Sequence, residues 1–230
     1  MAEQNRGRLV VIEGLDGSGK ATQTALLTGA MKNLGRPVRQ VSFPDYQSDS
    51  SALVRMYLAG QFGDDPNDVS AYAASSFYAV DRYASFKRDW GPFYQEGGLV
   101  IADRYATSNG IHQCSKLPET EWEGFLSWLF DYEYGLLGIP APDLVLYLRV
   151  DPAVSQRLMS QRYGGHEEQK DIHERNMAYL QRSRAAAEFC AAHLGWQVIP
   201  CSRDGEMRSM EDIHAEILRL VETRLDGQDS

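Results

Sequence analysis

A glycine-rich segment that joins a short apolar run to a helical pattern constrains the fold more than any other feature. The run Leu-Val-Val-Ile at residues 9–12 is followed by Glu-Gly-Leu-Asp-Gly-Ser-Gly-Lys-Ala-Thr-Gln at residues 13–23. Gly14, Gly17 and Gly19 let the backbone turn tightly with its N–H groups facing inward, and a following helix adds partial positive charge. The segment therefore predicts a strand, a phosphate-binding loop and a helix in succession.

The exact pattern of this loop indicates which type of phosphate loop it is. The common form G-x-x-x-x-G-K-[ST] is met except at its last position, where Ala21 stands, but the form G-x-x-G-x-G-K-x-T is met in full with Thr22. Lys20 is then placed to reach the β- and γ-phosphates. The alternative is a glycine-rich turn that binds no ligand. We expect the nucleotide phosphates of ATP to be bound by the residues of this loop, which are Gly14, Leu15, Asp16, Gly17, Ser18, Gly19, Lys20, Ala21 and Thr22.

Asp16 is a carboxylate inside this predicted phosphate loop. A negative charge there would repel phosphate groups unless it faced a metal ion or a substrate hydroxyl. We therefore expect it to face one of the two. The alternative is a solvated side chain that stabilises the positive end of the helix dipole.

Short apolar runs alternate with helical patterns along the whole chain, which is typical of βαβ units around a parallel sheet. The 230 residues, 43% of them hydrophobic, suffice for one sizeable core. We expect a single α/β domain over residues 1–230. Strands are predicted at 9–12, 38–43, 99–102, 144–148 and 197–199, and helices at 20–34, 52–58, 67–94, 119–137, 153–161, 171–193 and 210–225.

A second acidic and basic pair follows another buried strand. Asp103 and Arg104 come directly after Leu-Val-Ile-Ala at residues 99–102. Ligands of open α/β sheets bind beyond the carboxyl ends of the strands. Asp103 is thus placed to hold Mg²⁺, as is Asp16, and Arg104 to hold an acceptor phosphate by paired hydrogen bonds. The alternative is a local ion pair that ends the strand.

Two further groups carry candidate binding residues. Tyr78 and Arg82 lie four residues apart on a predicted helix and share one face, which suits a planar base with carbonyl groups; the alternative is a core aromatic beside a surface arginine. Residues 160–171 are polar and contain two glycines, so we expect a short mobile lid there. Arg157 and Arg162 could then reach a phosphoryl group in transit. Alternatively, both are solvated helix charges.

Charge limits the partners. Lys and Arg number 23 against 32 Asp and Glu, which gives a net charge of -9 and a pI near 5.1. A surface that follows a polymeric phosphate backbone needs an excess of cations. We therefore expect no polymeric nucleic acid partner, whereas a mononucleotide requires only a few local cations.

Cysteine usage and hydropathy indicate the compartment. Cys114, Cys190 and Cys201 are widely spaced and form no Cys-x-x-Cys pair, so we expect reduced thiols. The first ten residues, MAEQNRGRLV, lack the apolar core of a signal peptide, and no later run approaches the roughly 18 apolar residues of a membrane span. We expect a cytoplasmic protein without a membrane partner.

Taken together, the motifs resemble those of the thymidylate kinase family of P-loop kinases, in order along the chain. The supporting stretches are IEGLDGSGKATQ, SFPDY, FYAVDR, IADRYATSN, YLRVDP, KDIHERNMAYL and GWQVIPC. The resemblance implies a P-loop kinase fold with a five-stranded parallel sheet and a lid. It implies transfer of the γ-phosphoryl group of ATP to dTMP with Mg²⁺, in a homodimer.

The resemblance also implies roles for single residues. Tyr78 takes the position of the base-stacking aromatic residue, and Arg82 that of the arginine at a thymine carbonyl. Asp16 faces the 3′-hydroxyl or the metal. The implied catalytic set is Lys20, Asp16, Arg104, Arg157 and Arg162. The implied acceptor pocket is formed by Asp16, Phe43, Pro44, Arg55, Tyr78, Arg82, Arg104, Ser108, Asn109 and His112.

Three positions depart from the family pattern. Ala21 replaces a hydroxyl residue, and Tyr46 stands where an arginine is often close to the acceptor phosphate, for which Arg55 is the candidate replacement. His112 stands where tyrosine is common, beside C2′ of the acceptor sugar.

A kinase for dUMP, UMP, CMP or a deoxynucleoside shares the fold and stays open as an alternative. A GTPase-like switch, which lacks its Asn-Lys-x-Asp reader here, and an inactive nucleotide-binding regulator are less favoured.

Overall fold

The computed structural model describes residues 6–163 and 177–226, which surround a central parallel sheet. The elements follow in the order β1 (Arg8–Gly14), α1 (Lys20–Asn33), β2 (Val38–Ser42), α2 (Ala52–Leu58), α3 (Ala71–Ser85), α4 (Gly91–Gln95), β3 (Leu99–Asp103), α5 (Ala106–Cys114), α6 (Trp122–Phe130), β4 (Leu144–Arg149), α7 (Pro152–Tyr163), α8 (Met177–His193), β5 (Gln197–Pro200), β6 (Ser202–Arg203), β7 (Glu206–Met207) and α9 (Met210–Asp226).

The sheet has the strand order β2-β3-β1-β4-β5, and all five strands run parallel. The five predicted strands and the α/β class are therefore confirmed. β1 lies at the centre, with Ile12 beside Asp103 of β3 and Gly14 beside Leu148 of β4. The carboxyl end of β1 is consequently flanked by the ends of two neighbouring strands, where ligands of such sheets bind.

β1, β3 and β4 are buried on both faces along most of their length, which explains why they read as nearly continuous apolar runs. Alternate residues of a strand point to opposite faces. Leu9 and Val11 of β1 pack in the core with α3 to α6 and α8, whereas Val10 and Ile12 pack in the core with α1 and α9. Helices therefore cover the sheet on both sides, in agreement with the predicted βαβ units around a parallel sheet.

The helix predicted for residues 67–94 is interrupted. α3 ends at Ser85, a π-helical segment covers Phe86–Trp90, and α4 follows. The prediction for 119–137 likewise divides into a 3₁₀ turn, α6 and a π-helical segment at Asp131–Leu136. A wider π-helical turn shifts the following side chains around the axis, so hydrophobic periodicity alone did not reveal these breaks.

α5 is the helix that the sequence prediction missed. It contains Thr107, Ser108, Asn109 and Gly110, which are weak helix formers. α5 packs against α3, α6 and α8, and a Cβ atom at Gly110 would lie 3.0 Å from Leu126. Tertiary packing therefore stabilises a helix that local propensity does not predict.

The predicted lid lies largely outside the described residues. Positions 160–163 belong to α7, positions 164–171 are not described, and α8 is described from Met177 rather than from the predicted 171. Within residues 6–163 and 177–226, no helix is both long and apolar enough to cross a membrane. The single-domain prediction stays a prediction.

Candidate active site

The predicted phosphate loop connects β1 to α1. Gly17 and Gly19 have φ values of 78° and 84°, a backbone region that side chains with a Cβ atom rarely adopt. α1 then begins at Lys20, so its first N–H groups point back to the loop. Ser18 Oγ is buried beside them without a hydrogen-bond partner among the described residues. The loop is thus shaped to present donors to an anion.

Lys20 lies buried at the start of α1. Its Nζ atom donates a hydrogen bond to the Leu15 carbonyl oxygen at 2.9 Å, which keeps the ammonium group over the loop. Burial, followed by the nearby Arg104 charge, lowers the pKa of Lys20 to about 8. A phosphate group in the loop would supply the negative charge that favours its protonated form.

Arg104 joins the end of β3 to the phosphate loop. Its Nη2 atom lies 2.5 Å from Oδ1 of Asp16, and its Nη1 atom lies 3.4 Å from the Gly14 carbonyl oxygen. Burial alone would lower the pKa of Arg104, but Asp16 and Glu13 overcome this effect and raise it. Arg104 also has a φ of 66°, so a strained backbone aims a permanently charged guanidinium into the site.

Asp103 ends β3 directly beside the loop. Its Oδ1 atom is buried and has no hydrogen-bond partner within the described part of the chain. Burial raises the pKa of the carboxyl group, against the opposing charges of Lys20 and Arg104. A buried carboxylate oxygen without a partner is costly, and a cation would satisfy it.

These residues open into one cleft of about 420 Å³ at the carboxyl end of the sheet. Side chains from the phosphate loop, the end of β2 and the end of β3 form its walls. The lining consists of Asp16, Gly17, Gly19, Lys20, Ala21, Thr22, Ser42, Phe43, Pro44, Tyr46, Asp103 and Arg104. The cleft therefore brings the predicted phosphate loop together with part of the predicted acceptor pocket.

His112 lies between Arg104 and α8. Its Nε2 atom is 3.3 Å from Nη1 of Arg104, its Nδ1 atom is 3.4 Å from the Tyr179 hydroxyl, and that hydroxyl donates to the His112 carbonyl oxygen at 3.1 Å. Because arginine only donates, Nε2 accepts and the ring proton sits on Nδ1. Burial, and next the Arg104 charge, lowers the pKa of His112 to about 3. The ring is therefore neutral at physiological pH.

Arg82 and Asn109 meet at a residue that the sequence analysis did not select. Nε and Nη2 of Arg82 donate to the two carboxylate oxygens of Glu133 at 2.7 and 2.6 Å, and Asn109 Nδ2 lies 3.2 Å from Glu133 Oε1. All three side chains are buried. Burial would lower the pKa of Arg82, but Glu133 outweighs it and raises that pKa.

Glu13 is a second buried carboxylate that the sequence analysis did not select. It accepts hydrogen bonds from Thr107 Oγ1 at 2.6 Å, from Ser108 Oγ at 2.8 and 3.0 Å, and from the Tyr105 backbone N–H. Burial raises its pKa. Glu13 therefore connects the carboxyl end of β1 to the start of α5. The sequence signal was a carboxylate directly after the apolar run at residues 9–12.

The remaining predicted residues lie away from the walls of the cleft. Tyr78 packs against the small cluster around Tyr57 and Val69. Arg55 Nη1 donates to Ser51 Oγ and to the Ser48 carbonyl oxygen, so it braces the loop after β2. Arg157 is exposed and pairs with Glu206 at 2.9 Å, and the side chain of Arg162 lies outside the described residues.

A phosphate loop at the carboxyl end of a central parallel strand, facing a cleft that a second strand supplies with an acid and an arginine, defines the class of P-loop phosphotransferases. The model of the family described as Thymidylate kinase matches residues 12–217. The chain belongs to the thymidylate kinase family, and its activity is that of a thymidylate kinase.

Individual relatives agree with this assignment. The chain is 33% identical over 194 residues to the thymidylate kinase of Mycobacterium tuberculosis (strain CDC 1551 / Oshkosh), covering 82% of this chain and 87% of the relative. It is 28% identical over 221 residues to that of Schizosaccharomyces pombe, covering 96% and 94%. A solved structure of thymidylate kinase from Candida albicans shares the fold, with a TM-score of 0.69, 19% identity and coverage of 96% and 93%.

Proposed function

We propose that this chain transfers the γ-phosphoryl group of ATP to the 5′-phosphate of dTMP, which yields dTDP and ADP. An acceptor phosphate oxygen attacks the γ-phosphorus, and the bond to the β–γ bridging oxygen breaks. The observation that carries the proposal is the shared cleft, in which Lys20 of the phosphate loop and Arg104 of the β3 end line one cavity of about 420 Å³. Donor and acceptor phosphates of both nucleotides fit such an arrangement.

On the donor side, the backbone N–H groups from Gly14 to Thr22 hold the α- and β-phosphates. Lys20 stabilises the charge that develops on the transferring group. Its position supports this role, because Nζ already lies over the loop at the Leu15 carbonyl oxygen. The ammonium group needs to exchange only that oxygen for a phosphate oxygen.

On the acceptor side, Arg104 holds the 5′-phosphate and Asp16 orients Arg104 through their 2.5 Å contact. Phe43 and Pro44, joined by a cis peptide bond, line the same cleft and suit the base. We place His112 beside the sugar. Tyr78, Arg82, Ser108 and Asn109 complete the proposed base pocket, and Arg55 supports the loop after β2.

Mg²⁺ fits the residues at the cleft. Asp16 and Asp103 line it, and the buried Asp103 Oδ1 and Ser18 Oγ atoms have no other partner in the described ranges. Within those ranges, no cluster of three or more His, Cys, Asp or Glu side chains could hold a metal. Mg²⁺ is typically bound by one or two carboxylates plus substrate phosphates and water, so this donor set is sufficient. When bound, the ion neutralises charge on the β- and γ-phosphates.

Arg157 and Arg162 complete the proposed catalytic set. Both lie on α7, which immediately precedes residues 164–171 of the proposed lid. In the structure Arg157 is engaged by Glu206 and by the Gly205 carbonyl oxygen on the β6–β7 hairpin. Exchange of this exposed ion pair for a phosphate costs little, because such pairs contribute about 0–1 kcal/mol.

We further propose a cytoplasmic homodimer that acts on mononucleotides. α3 carries the exposed apolar side chains of Tyr72, Val80 and Tyr83. This exposed apolar surface supports a contact with a second copy. The net charge of -9 disfavours polymeric nucleic acid. Light scattering after size-exclusion chromatography measures the oligomeric state directly.

A coupled assay of ADP release across dTMP, dUMP, UMP, CMP, GMP and thymidine tests the proposed reaction. We expect dTMP to give the highest kcat/KM. A preference for another acceptor would instead make the chain a kinase for that acceptor.

Lys20→Ala should abolish turnover. Lys32→Ala, which changes an exposed lysine on the same helix, is the matched control. Near-normal kcat in Lys20→Ala would remove the phosphate loop from the reaction.

A further inference from the structure

Glu133 is a buried charge on an element that the proposed reaction does not use. It lies in the π-helical segment Asp131–Leu136 that follows α6, and its side chain is 0% exposed. Its partner Arg82 is 1% exposed and lies on α3. Two hydrogen bonds of 2.6 and 2.7 Å join the carboxylate to the Nε–Nη2 edge of the guanidinium. This edge-on geometry fixes the plane of the Arg82 side chain.

The same carboxylate also fixes the side-chain amide of Asn109. Asn109 Nδ2 lies 3.2 Å from Glu133 Oε1 and 3.3 Å from the carbonyl oxygen of Ser75. Both neighbours are acceptors, so only the amide nitrogen can face them. The two N–H bonds of Asn109 are therefore used on the protein, and its amide oxygen points elsewhere as an acceptor.

The result is a pair of groups with defined hydrogen-bond polarity. Arg82 offers the donors of its Nη1 edge, and Asn109 offers an acceptor. A pyrimidine with N3–H and a C4 carbonyl, such as thymine or uracil, presents the complementary donor and acceptor. Cytosine presents the reverse, because its N3 accepts and its 4-amino group donates. A site built for one polarity leaves buried groups unpaired with the other.

A buried ion pair is weak evidence for a gain in stability. Removing two charges from water is costly, and a well-packed apolar pair of similar volume is often as stable. An ionised carboxylate, in contrast, accepts on both oxygens and cannot donate, so it permits a single orientation of Arg82 and of Asn109. An amide in place of the carboxylate would permit two orientations, because it has one donor and one acceptor group.

We propose that Glu133 is a positioning residue that sets the polarity of the base-reading groups and thereby selects N3–H, C4-carbonyl pyrimidines over cytosine. This inference rests on the proposed function, in which Arg82 and Asn109 face the acceptor base. Glu133 acts through these two residues and does not contact the base itself.

The test compares dUMP with dCMP, which share the sugar and differ at the base edge. In Glu133→Gln, the kcat/KM ratio of dUMP to dCMP should fall at least about 10-fold, since a group reading one polarity discriminates far more strongly than a merely apolar pocket. KM for ATP should not change. Glu123→Gln is the matched control, because Glu123 is an exposed residue of α6 beside His193, and its ratio should equal the wild-type value.

Glu133→Asp covers the case in which Glu133→Gln fails to fold. It keeps the charge but shortens the reach, so the dUMP to dCMP ratio should again fall, by less than in Glu133→Gln. Thermal unfolding of each variant records its stability separately. An unchanged ratio in a folded variant, or failure of both variants to fold, would make Glu133 structural and overturn the inference.

Arg82→Ala separates this inference from the proposed function. It should raise KM for dTMP and leave KM for ATP unchanged. If KM for dTMP is unaffected, the base-reading role of Arg82 in the proposed function fails. If KM for dTMP rises while folded Glu133 variants keep the wild-type dUMP to dCMP ratio, only the role of Glu133 fails.

Discussion

Nη2 of Arg104 lies 2.5 Å from Oδ1 of Asp16, so an arginine at the end of β3 is paired with a carboxylate of the phosphate loop. The two residues follow the neighbouring strands β1 and β3 and are 88 residues apart in sequence. Their contact sets the relative position of the two halves of the cleft. An acceptor phosphate that binds Arg104 must therefore settle beside Asp16.

Arg104→Ala should lower kcat/KM for dTMP at least about 100-fold, because the guanidinium holds a phosphate by charge-assisted hydrogen bonds. Arg104→Lys should restore little of it, since lysine lacks the paired donors. Steady-state kinetics with dTMP varied at saturating ATP measures both variants. Arg88→Ala, at an exposed position, should match the wild type; an active Arg104→Ala enzyme would contradict the assignment.

Arg104→Gly should be as inactive as Arg104→Ala but at least as stable. The φ of 66° is strained for alanine and accessible to glycine without a steric penalty, a difference of about 1 kcal/mol. Thermal unfolding of the two variants checks this expectation. A clearly more stable alanine variant would show that the left-handed backbone at this position carries no strain.

The parts of the fold that depend on local sequence were predictable. β1, β3 and β4 are apolar runs that are buried along most of their length, and the phosphate loop is a contiguous motif. α5 was not predictable, because Thr107 to Gly110 disfavour a helix and only packing against α3, α6 and α8 stabilises it. Without α5, the sequence could not reveal that Asn109 and His112 lie on one helix beside Arg104.

The buried carboxylates of the site were missed for a different reason. Glu133 meets Arg82 across 51 residues of sequence, and Glu13 meets Thr107 across 94. Neither contact produces a local pattern. Candidate binding and catalytic residues could be selected by residue type and spacing. The residues that orient them could not, because their contacts depend on how the helices pack against the sheet.

ATP affinity should fall as pH rises through about 8. Lys20 has a pKa of about 8 in the free protein, lowered from 10.5, and only its protonated form attracts phosphate. Below pH 7 the ammonium group is already charged, so affinity is fully present there; above pH 8 binding must take up a proton. Calorimetric titration of ATP from pH 6.5 to 9.5 measures both the affinity and the proton uptake.

Lys20→Arg provides the control for this titration, because a guanidinium stays charged over the whole range. Its ATP affinity should be weaker at pH 7 owing to its different shape, but independent of the titration near pH 8. A wild-type affinity that stays flat from pH 7 to pH 9 would show that Lys20 is not the group that governs phosphate binding.

Arg157→Ala and Arg162→Ala should lower kcat more than they raise KM for either substrate, because such cations act mainly in the transition state. Glu206→Ala is a matched control for Arg157, since it breaks the same exposed ion pair and leaves the cation in place. Its kcat should equal or exceed the wild-type value. Unchanged kcat in both arginine variants would place the catalytic cation elsewhere.

His112→Ala should raise turnover of UMP relative to dUMP, two acceptors that share a base and differ at the 2′ position. The half-buried ring is held between Arg104 and Tyr179, with its Nε2 atom 3.3 Å from the arginine. Placed beside C2′, the ring excludes a 2′-hydroxyl group by its volume. A smaller side chain leaves room for that hydroxyl group.

The size of this change is limited by its cause. A pocket that merely excludes one hydroxyl group discriminates by about 10²-fold, so the dUMP to UMP ratio of kcat/KM should fall by at most about two orders of magnitude in His112→Ala. Because the pKa of His112 is lowered to about 3, the ring stays neutral, and the wild-type ratio should not change between pH 6 and pH 9. A ratio that is the same in wild type and His112→Ala would make His112 a structural residue that supports Arg104.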